Sequence, residues 1–373
     1  MSSRTLVASV CGAIRDETGD LDELVDRAVR QLAPLATAEE RERLRADVMS
    51  EMAGLGSLDV LVADPAVDEV LVNGDEIWAD RHGRVERAGT LTGTTVEQVI
   101  ERILAPIGRR VDSTTPIVDA RLATGARVCA VIPPVAVGGA ALSIRRFSDD
   151  IRPLTEFTNT AGAEVLSDIV DRRLNVVVCG ATSSGKTSLL ASMLEAVDDS
   201  ERLIILEDTT ELPCRAPHLV RLEARPATAE GVHSISLSSL VRTALRLRPD
   251  RLVVGEVRSD ECLALVQAMN TGHDGSFSTC HANGPLDALL RLESLVLQAA
   301  PQWPLEAVRQ QLARSIDVIV HVGRQRDRRR ILEIGQVVPP PLDGPLTTPA
   351  VRPVATTPHD DLVVVAALDR SRR

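Results

Sequence analysis

The sequence predicts an α/β protein in which a largely parallel sheet flanked by helices follows a smaller α/β domain and a group of N-terminal helices. Three observations carry this reading. From about residue 163 to 335, apolar strand-like runs alternate with helical segments: NVVVC, a helix, RLIILED, a loop, LVVGEVR, a helix, and SFSTCHA. That order is the one a parallel sheet with crossover helices requires. The first of these strands runs straight into a glycine-rich turn and a helix, GATSSGKTSLL, from Gly180 to Leu190. Upstream, the pattern changes from helical spacing to short alternating runs divided by turn residues, which marks a separate unit.

Taken in order, residues 1–53 form a helical region: LDELVDRAVRQLAPLATAEERERLRADVMSEM mixes charge with apolar residues at helical spacing. Residues 54–147 read as a small α/β domain. Turn signals fall at Asp64-Pro65, Asn73-Gly74 and His82-Gly83, a helix at TVEQVIERILAPIG, and strands near ARVCAVIPP and AALSIRRF. Residues 148–162 are polar and read as a hinge linker, and 163–335 as the parallel-sheet domain. Residues 336–373 read as a proline-rich tail, a solvated connector with one strand-like run, DLVVVAAL.

The composition narrows the function classes. With 373 residues and 44% hydrophobic content, the chain can bury real cores. A net charge of −11 argues against a general binder of polyanions, so no direct nucleic-acid partner is expected. Aromatic residues make up 1% of the chain and tyrosine is missing, which leaves little for stacking on bases. The six cysteines are scattered, without a C-x-x-C pair, and fit a reducing compartment. The apolar stretch from Val131 to Ile144 is interrupted by Pro133, Pro134, Gly138 and Gly139 and the first sixteen residues are too weakly apolar for a signal, so no transmembrane segment is expected. A cytoplasmic location follows, peripheral to the membrane through partners.

Among 42 basic residues only Lys186 is a lysine. A guanidinium is a wide planar fork and an ammonium a compact point charge on a thin stem, and the second suits a tight loop of backbone amides closed around a phosphate. Gly180, Gly185, Lys186 and Thr187 match G-x-x-x-x-G-K-[ST], the nucleotide-binding P-loop. The loop Gly180, Ala181, Thr182, Ser183, Ser184, Gly185, Lys186, Thr187 and Ser188 is therefore the candidate ATP site. Lys186 would reach the β- and γ-phosphates, and the Thr187 hydroxyl would ligate Mg²⁺.

Other strand ends gather beside such a loop at the carboxyl edge of a parallel sheet. LIILEDTTEL ends in Glu207 and Asp208, where a carboxylate can polarise water or hold a magnesium-bound water. RPDRLVVGEVR ends in Glu256, a second acidic group, with Gly255 where many P-loop enzymes carry aspartate; Arg258 would pair with a nearby carboxylate. MNTGHDGSFSTCHAN places His273 and His281 around a loop of small residues, where an imidazole can donate to a γ-phosphate. Zinc binding by His273, Cys280 and His281 is the competing reading and lacks a fourth ligand at suitable spacing. His82, His218, His233, His321 and His359 receive a structural reading.

Together GATSSGKT, LIILEDTTEL, RPDRLVVGEVR and MNTGHDGSFSTCHAN resemble the four signatures, called Walker A, Asp box, Walker B and His box, of the secretion ATPase superfamily of type II and type IV secretion and pilus systems. The likeness is nearest to the tight-adherence (Flp) pilus assembly ATPases, the TadA/CpaF branch, which is related to the VirB11 ATPases. It covers about residues 54 to 324, and the chain carries no tetracysteine zinc insert of the type II members. The resemblance implies a C-terminal RecA-like P-loop ATPase domain preceded by a small α/β domain, assembly into a homo-oligomeric ring, in all expectation a hexamer, and ATP held between the two domains. It implies that Glu207 activates water, that Glu256 holds Mg²⁺ partly through water, and that His273 and His281 form the His box. Arg121 and Arg127 in DARLATGARV match arginines that reach nucleotide phosphates, with Arg145 in SIRRF as a further candidate. The implied function is an ATP-driven motor acting on an inner-membrane platform protein to assemble a pilus. A VirB11-like ATPase for conjugation or effector export, or a nucleotide-gated scaffold with negligible hydrolysis, are the alternatives.

Overall fold

The computed structural model describes residues 3–14, 17, 19–81, 83–122, 124–147, 150–225, 233–325, 328–339, 350–357 and 362–369. The chain divides into two compact units, residues 1–147 and 148–373.

Unit 1 opens with three helices, α1 (Ser3–Ile14), α2 (Leu21–Leu32) and α3 (Ala38–Ala53). Asp20 caps α2, and Thr37 with Glu40 forms a capping box on α3, so the orphan N–H groups of both first turns find side-chain acceptors. Their apolar faces meet in a small core of Val10, Ile14, Val25, Val29, Leu44 and Val48. Beyond them follow α4 (Asp59–Ala63), β1 (Glu69–Asn73), β2 (Glu76–Arg81), β3 (Arg84–Thr90), α5 (Val96–Leu104), β4 (Ile117–Arg121), β5 (Arg127–Val131) and β6 (Ala141–Arg145). The six strands form one sheet in the order β3-β2-β1-β6-β5-β4, with every pairing antiparallel. Along β1, β5 and β6 every second residue is buried. Val70, Val72, Val128, Ala130, Leu142 and Ile144 supply that buried face, and α5 covers it with Val99, Ile100 and Ile103.

Unit 2 contains α6 (Thr160–Asp171), β7 (Val176–Cys179), α7 (Lys186–Leu194), β8 (Leu203–Glu207), β9 (Leu219–Glu223), α8 (Leu237–Ala244), β10 (Arg251–Val254), α9 (Glu261–Met269), β11 (Phe277–Cys280), α10 (Pro285–Ala299), α11 (Leu305–Ser315), β12 (Val318–Gln325), β13 (Arg328–Val338), β14 (Ala350–Thr356) and β15 (Val363–Val364). Its sheet of nine strands has the order β15-β14-β13-β12-β7-β11-β10-β8-β9. From β12 to β9 the neighbours are parallel, and the four strands β12 to β15 are antiparallel. β7, β8, β10 and β11 are buried at every position, as helices on both faces demand. Val177, Ile204, Leu206 and Leu252 pack on one side with α8, α9, α10 and α11, and Val176, Val178, Leu203, Ile205 and Val253 on the other with α6 and α7.

The structure departs from the sequence reading at the tail. β13 runs through residue 335, and β14 and β15 join the same sheet, so residues 350–356 are a strand and not part of a connector. Val354 and Ala355 are buried in the core shared with α6 and α7, which gives that segment its reason to be ordered. Pro353 sits beside a register shift opposite Gly335, where the ladder tolerates a missing N–H.

Asn175 ties the amino edge of the sheet together. Fully buried, it donates through its side chain to the Ser315 carbonyl (2.7 Å) and accepts from the Ser276 N–H (3.0 Å), while its own N–H donates to Asp317 (2.8 Å). Alanine there leaves a buried donor and a buried acceptor without partners, so Asn175→Ala is expected to cost about 1–3 kcal/mol. The measurement is a lower urea midpoint at unchanged slope.

Candidate functional site

The residues singled out in unit 2, His273 excepted, converge on the carboxyl edge of its parallel strands. β7 leads into the loop, which turns sharply: Ser183 has φ 59° and Gly185 φ 101°. Left-handed residues alternating with right-handed ones turn successive backbone N–H groups inward and make an anion-binding concavity. A Cβ on Gly185 would lie 2.7 Å from Cδ of Arg329, and one on Gly180 would strike the Val322 carbonyl. Both glycines are therefore set by close approach. α7 starts at Lys186 with no side chain capping its first turn, which leaves orphan N–H groups for an anion. Ser184 Oγ is buried and has no hydrogen-bond partner among the described residues. These features fit a phosphate group. Thr187 and Ser188 are half-buried in the first turn of α7, while Ala181, Thr182 and Ser183 are exposed.

Lys186 is 7% exposed, and its ammonium donates to the carbonyls of Gly180 (3.1 Å) and Ala181 (2.9 Å). Its Nζ also lies 3.4 Å from Nδ1 of His281, whose Nε2 lies 2.7 Å from Oε1 of Glu256. Burial holds the lysine below its ordinary pKa, with Glu256 pulling the other way, and burial likewise holds His281 below the histidine range against the same carboxylate. A neutral imidazole accepts from the ammonium through Nδ1, while its approach to Glu256 is a close contact without hydrogen-bond alignment, leaving Oε1 of that carboxylate buried and without a hydrogen-bond partner among the described residues. Arg258 pairs with the other oxygen of Glu256 at 2.5 Å. Helix α7 and the residues just beyond β10 and β11 thus bring Lys186, Glu256 and His281 into one line.

Glu207 ends β8 and is 5% exposed. Its Oε1 accepts from the N–H groups of Glu211 (2.9 Å) and Leu212 (2.8 Å), and its Oε2 lies 3.8 Å from Arg221. Burial is the dominant effect on this carboxyl and pushes its pKa up to about 7, despite the N–H donors and the arginine. A Cβ on Gly255 would come within 2.8 Å of Cγ of Glu207. That explains the glycine before Glu256: it makes room for the neighbouring carboxylate side chain.

The expectation that both histidines face one site is corrected. His273 lies in the loop before β11, with Nδ1 3.2 Å from the Ala268 carbonyl at the end of α9, and His281 lies just past the other end of the strand. A four-residue strand rises about 13 Å, so β11 itself separates them. The same separation keeps His273 from sharing a metal with Cys280 and His281. Among the described residues, no three His, Cys, Asp or Glu side chains gather as metal ligands.

The structure adds residues that the sequence reading passed over. A cavity of about 330 Å³ is lined by Ala181, Thr182 and Ser184 of the loop, by Asn283, and by His321 to Arg324 at the end of β12. His321, given a structural reading above, is held below its ordinary pKa by burial. Arg329 on β13 lays its stem on Gly185 and places NH1 3.4 Å from Ser188 Oγ. The available signal was the run RQRDRRR, five arginines within residues 324–330 of an acidic chain.

Arg121, Arg127 and Arg145 belong to unit 1, where they form a single row: Arg121 pairs across strands with Arg127, and Arg127 with Arg145. Arg121 Nε donates to the Gly125 carbonyl (3.1 Å), and Arg127 lies 3.6 Å from Asp119. Like charges directly opposite one another on a sheet are unfavourable, and here carboxylates stand beside the row: Glu69 lies opposite Arg145 and Asp119 beside Arg127.

A family model described as type II/IV secretion system protein matches residues 51–332. A Mycobacterium tuberculosis protein named for conjugal transfer is 40% identical over 303 residues, covering 77% of this chain and 85% of its own. The conjugal transfer protein TrbB of Rhizobium radiobacter is 35% identical over 289 residues, 74% of this chain and 85% of its own. Among solved structures, the pilus retraction motor PilT with bound ADP superimposes with a TM-score of 0.53 at 19% identity, covering 85% of this chain and 84% of that one. That last likeness speaks to the fold, an α/β architecture common to both. Among the described residues no helix is long and apolar enough to cross a membrane.

Proposed function

Since the chain belongs to the type II/IV secretion system protein family, we propose that it is an ATP-hydrolysing motor subunit of a macromolecular transfer machine, working as a homo-oligomeric ring on a membrane platform protein. The observation that carries this reading is the line of Lys186, His281 and Glu256 beside a P-loop that fits phosphate. In the proposed reaction the loop's N–H groups and the start of α7 hold the phosphates, and Lys186 neutralises the β- and γ-phosphoryl oxygens. Thr187 and Glu256 would hold Mg²⁺, which supplies charge neutralisation across those oxygens. Glu207 takes a proton from the attacking water as its oxygen bonds to the γ-phosphorus and the bond to the β-phosphate oxygen breaks, giving ADP and phosphate. His281, neutral in this setting, passes the state of the phosphate from Lys186 to Glu256. Arg121, Arg127 and Arg145, a row on the sheet of unit 1, are carried as a candidate anion-binding group of that unit.

For the machine served, the names of the relatives favour conjugal or VirB11-type transfer. The motif set described above supports the second reading, assembly of a tight-adherence pilus. Deleting the gene separates them: loss of plasmid transfer or export supports the first, and loss of surface pili with transfer intact supports the second. The catalytic proposal is tested by steady-state ATP hydrolysis against protein concentration, with mass by light scattering. Turnover per subunit rising as the ring assembles is the expected result. ATP binding without turnover at any concentration overturns the motor reading in favour of a nucleotide-gated scaffold.

A further inference from the structure

The hairpin of β12 and β13 carries two arginines in direct cross-strand register, Arg324 and Arg329. They share a strand face with Val322 and Ile331, which pair two positions along and are buried in the core that includes Leu189 and Leu190 of α7. Both side chains therefore project on the α7 side of the hairpin. Arg329 reaches the first turn of α7, its stem against Gly185 and its NH1 3.4 Å from Ser188 Oγ. Arg324 lines the 330 Å³ cavity with Ala181, Thr182 and the unpartnered, buried Ser184 hydroxyl. Arg328 and Arg330 lie at the intervening positions, opposite Gln325 and Gly323, and so on the other face.

Two like charges in register on a sheet repel one another and concentrate positive charge at one place. Here the pair stands beside the start of a helix whose free N–H groups already favour an anion. Apart from the His321 imidazole, neither the cavity lining nor the loop contains an aromatic ring, and a guanidinium plane is a further side chain that stacks on a π-face.

We propose that Arg324 and Arg329 form a clamp, supplied by the same unit as the P-loop, that holds the α-phosphate and purine of the bound nucleotide, making this hairpin the nucleoside-recognising wall of the site. The inference rests on the ATP-binding reading above. Arg329 contacts the α-phosphate next to Ser188, and Arg324 stacks on or borders the base in the cavity. Because α-phosphate and base do not change during γ-phosphoryl transfer, the clamp contributes ground-state binding and leaves the chemical step alone. ADP and ATP should depend on it equally, and inorganic tripolyphosphate, which lacks the base, should not depend on Arg324.

The experiment measures dissociation constants for ATP, ADP and tripolyphosphate by calorimetry on the full chain, with kcat and KM on the same preparations, for Arg324→Ala, Arg329→Ala, Arg329→Lys and Arg330→Ala. Arg329→Ala should weaken ATP and ADP alike by about tenfold or more, raise KM by the same factor and leave kcat within about twofold. Arg324→Ala should weaken ATP and ADP but not tripolyphosphate. Arg329→Lys, which keeps the charge and the fold, should recover part of the loss, and Arg330→Ala, with equal charge on the other face, should match wild type. ADP affinity within twofold of wild type in both alanine variants, or an equal loss in Arg330→Ala, overturns the clamp. Wild type that binds no ATP overturns the underlying nucleotide reading instead, so the two failures are distinguishable.

Discussion

Lys186→Ala is expected to lower kcat/KM for ATP by at least about a hundredfold, because it removes the only compact cation held inside the phosphate loop. The side chain is 7% exposed and its donors already aim at the loop, so no solvent-borne cation replaces it. Lys186→Arg should fare little better. The guanidinium is too broad for a space bounded by the Gly180 and Ala181 carbonyls and the His281 ring, although the charge is kept. Single-turnover hydrolysis with saturating ATP checks both variants. Arginine restoring most of the activity would mean that the site needs only charge, and the geometric argument would fail.

Glu207→Gln is expected to lower kcat by about a hundredfold to ten-thousandfold while leaving ATP binding in place, as loss of a general base does. Wild-type turnover should rise with pH through about 7 and level off above it, since the carboxyl must be ionised to accept the proton. Stability moves the other way. Burial raises the folded-state pKa to about 7 from an ordinary 4.5, so the folded protein holds this proton more tightly than the unfolded chain does. The stabilising contribution is complete below about pH 4.5 and is lost as pH rises through 7, with a slope approaching about 1.4 kcal/mol per pH unit. Glutamine removes that slope and can still accept from the Glu211 and Leu212 N–H groups through its carbonyl oxygen. Denaturant titrations of both proteins between pH 5 and 8 read the difference. A pH-independent kcat in wild type would remove Glu207 from the proton-transfer role.

Much of this arrangement was legible in the sequence wherever one residue type answers to one local constraint. Gly180, Gly185 and Lys186 could be read because close approach and a tight phosphate loop admit few alternatives. The parallel strands could be read because burial on both faces gives unbroken apolar runs such as VVVC and LIIL. His273 was misplaced because a strand alternates faces but also has two ends, and a motif in one dimension does not say which end serves the site. β14 was missed because its proline marks a connector in the chain, while its place beside a bulge at Gly335 is decided by residues far away in sequence. The Arg324 and Arg329 pair was hidden for a related reason: within a run of like charges, only strand register tells which two share a face.

The burial of Lys186 has a practical corollary for chemical footprinting. The chain offers a single ε-amine, and the depressed pKa of that amine keeps more of it in the nucleophilic, unprotonated form than a surface lysine would show. An acylating reagent therefore writes at most one mass increment on any lysine of this protein. Because that amine sits among the Gly180 and Ala181 carbonyls and the His281 ring, the rate at which the increment accumulates reports on the phosphate loop alone. A peptide-level mass spectrum, which separates Lys186 from the α-amine of the chain, then becomes an occupancy gauge for the loop, needing no engineered label.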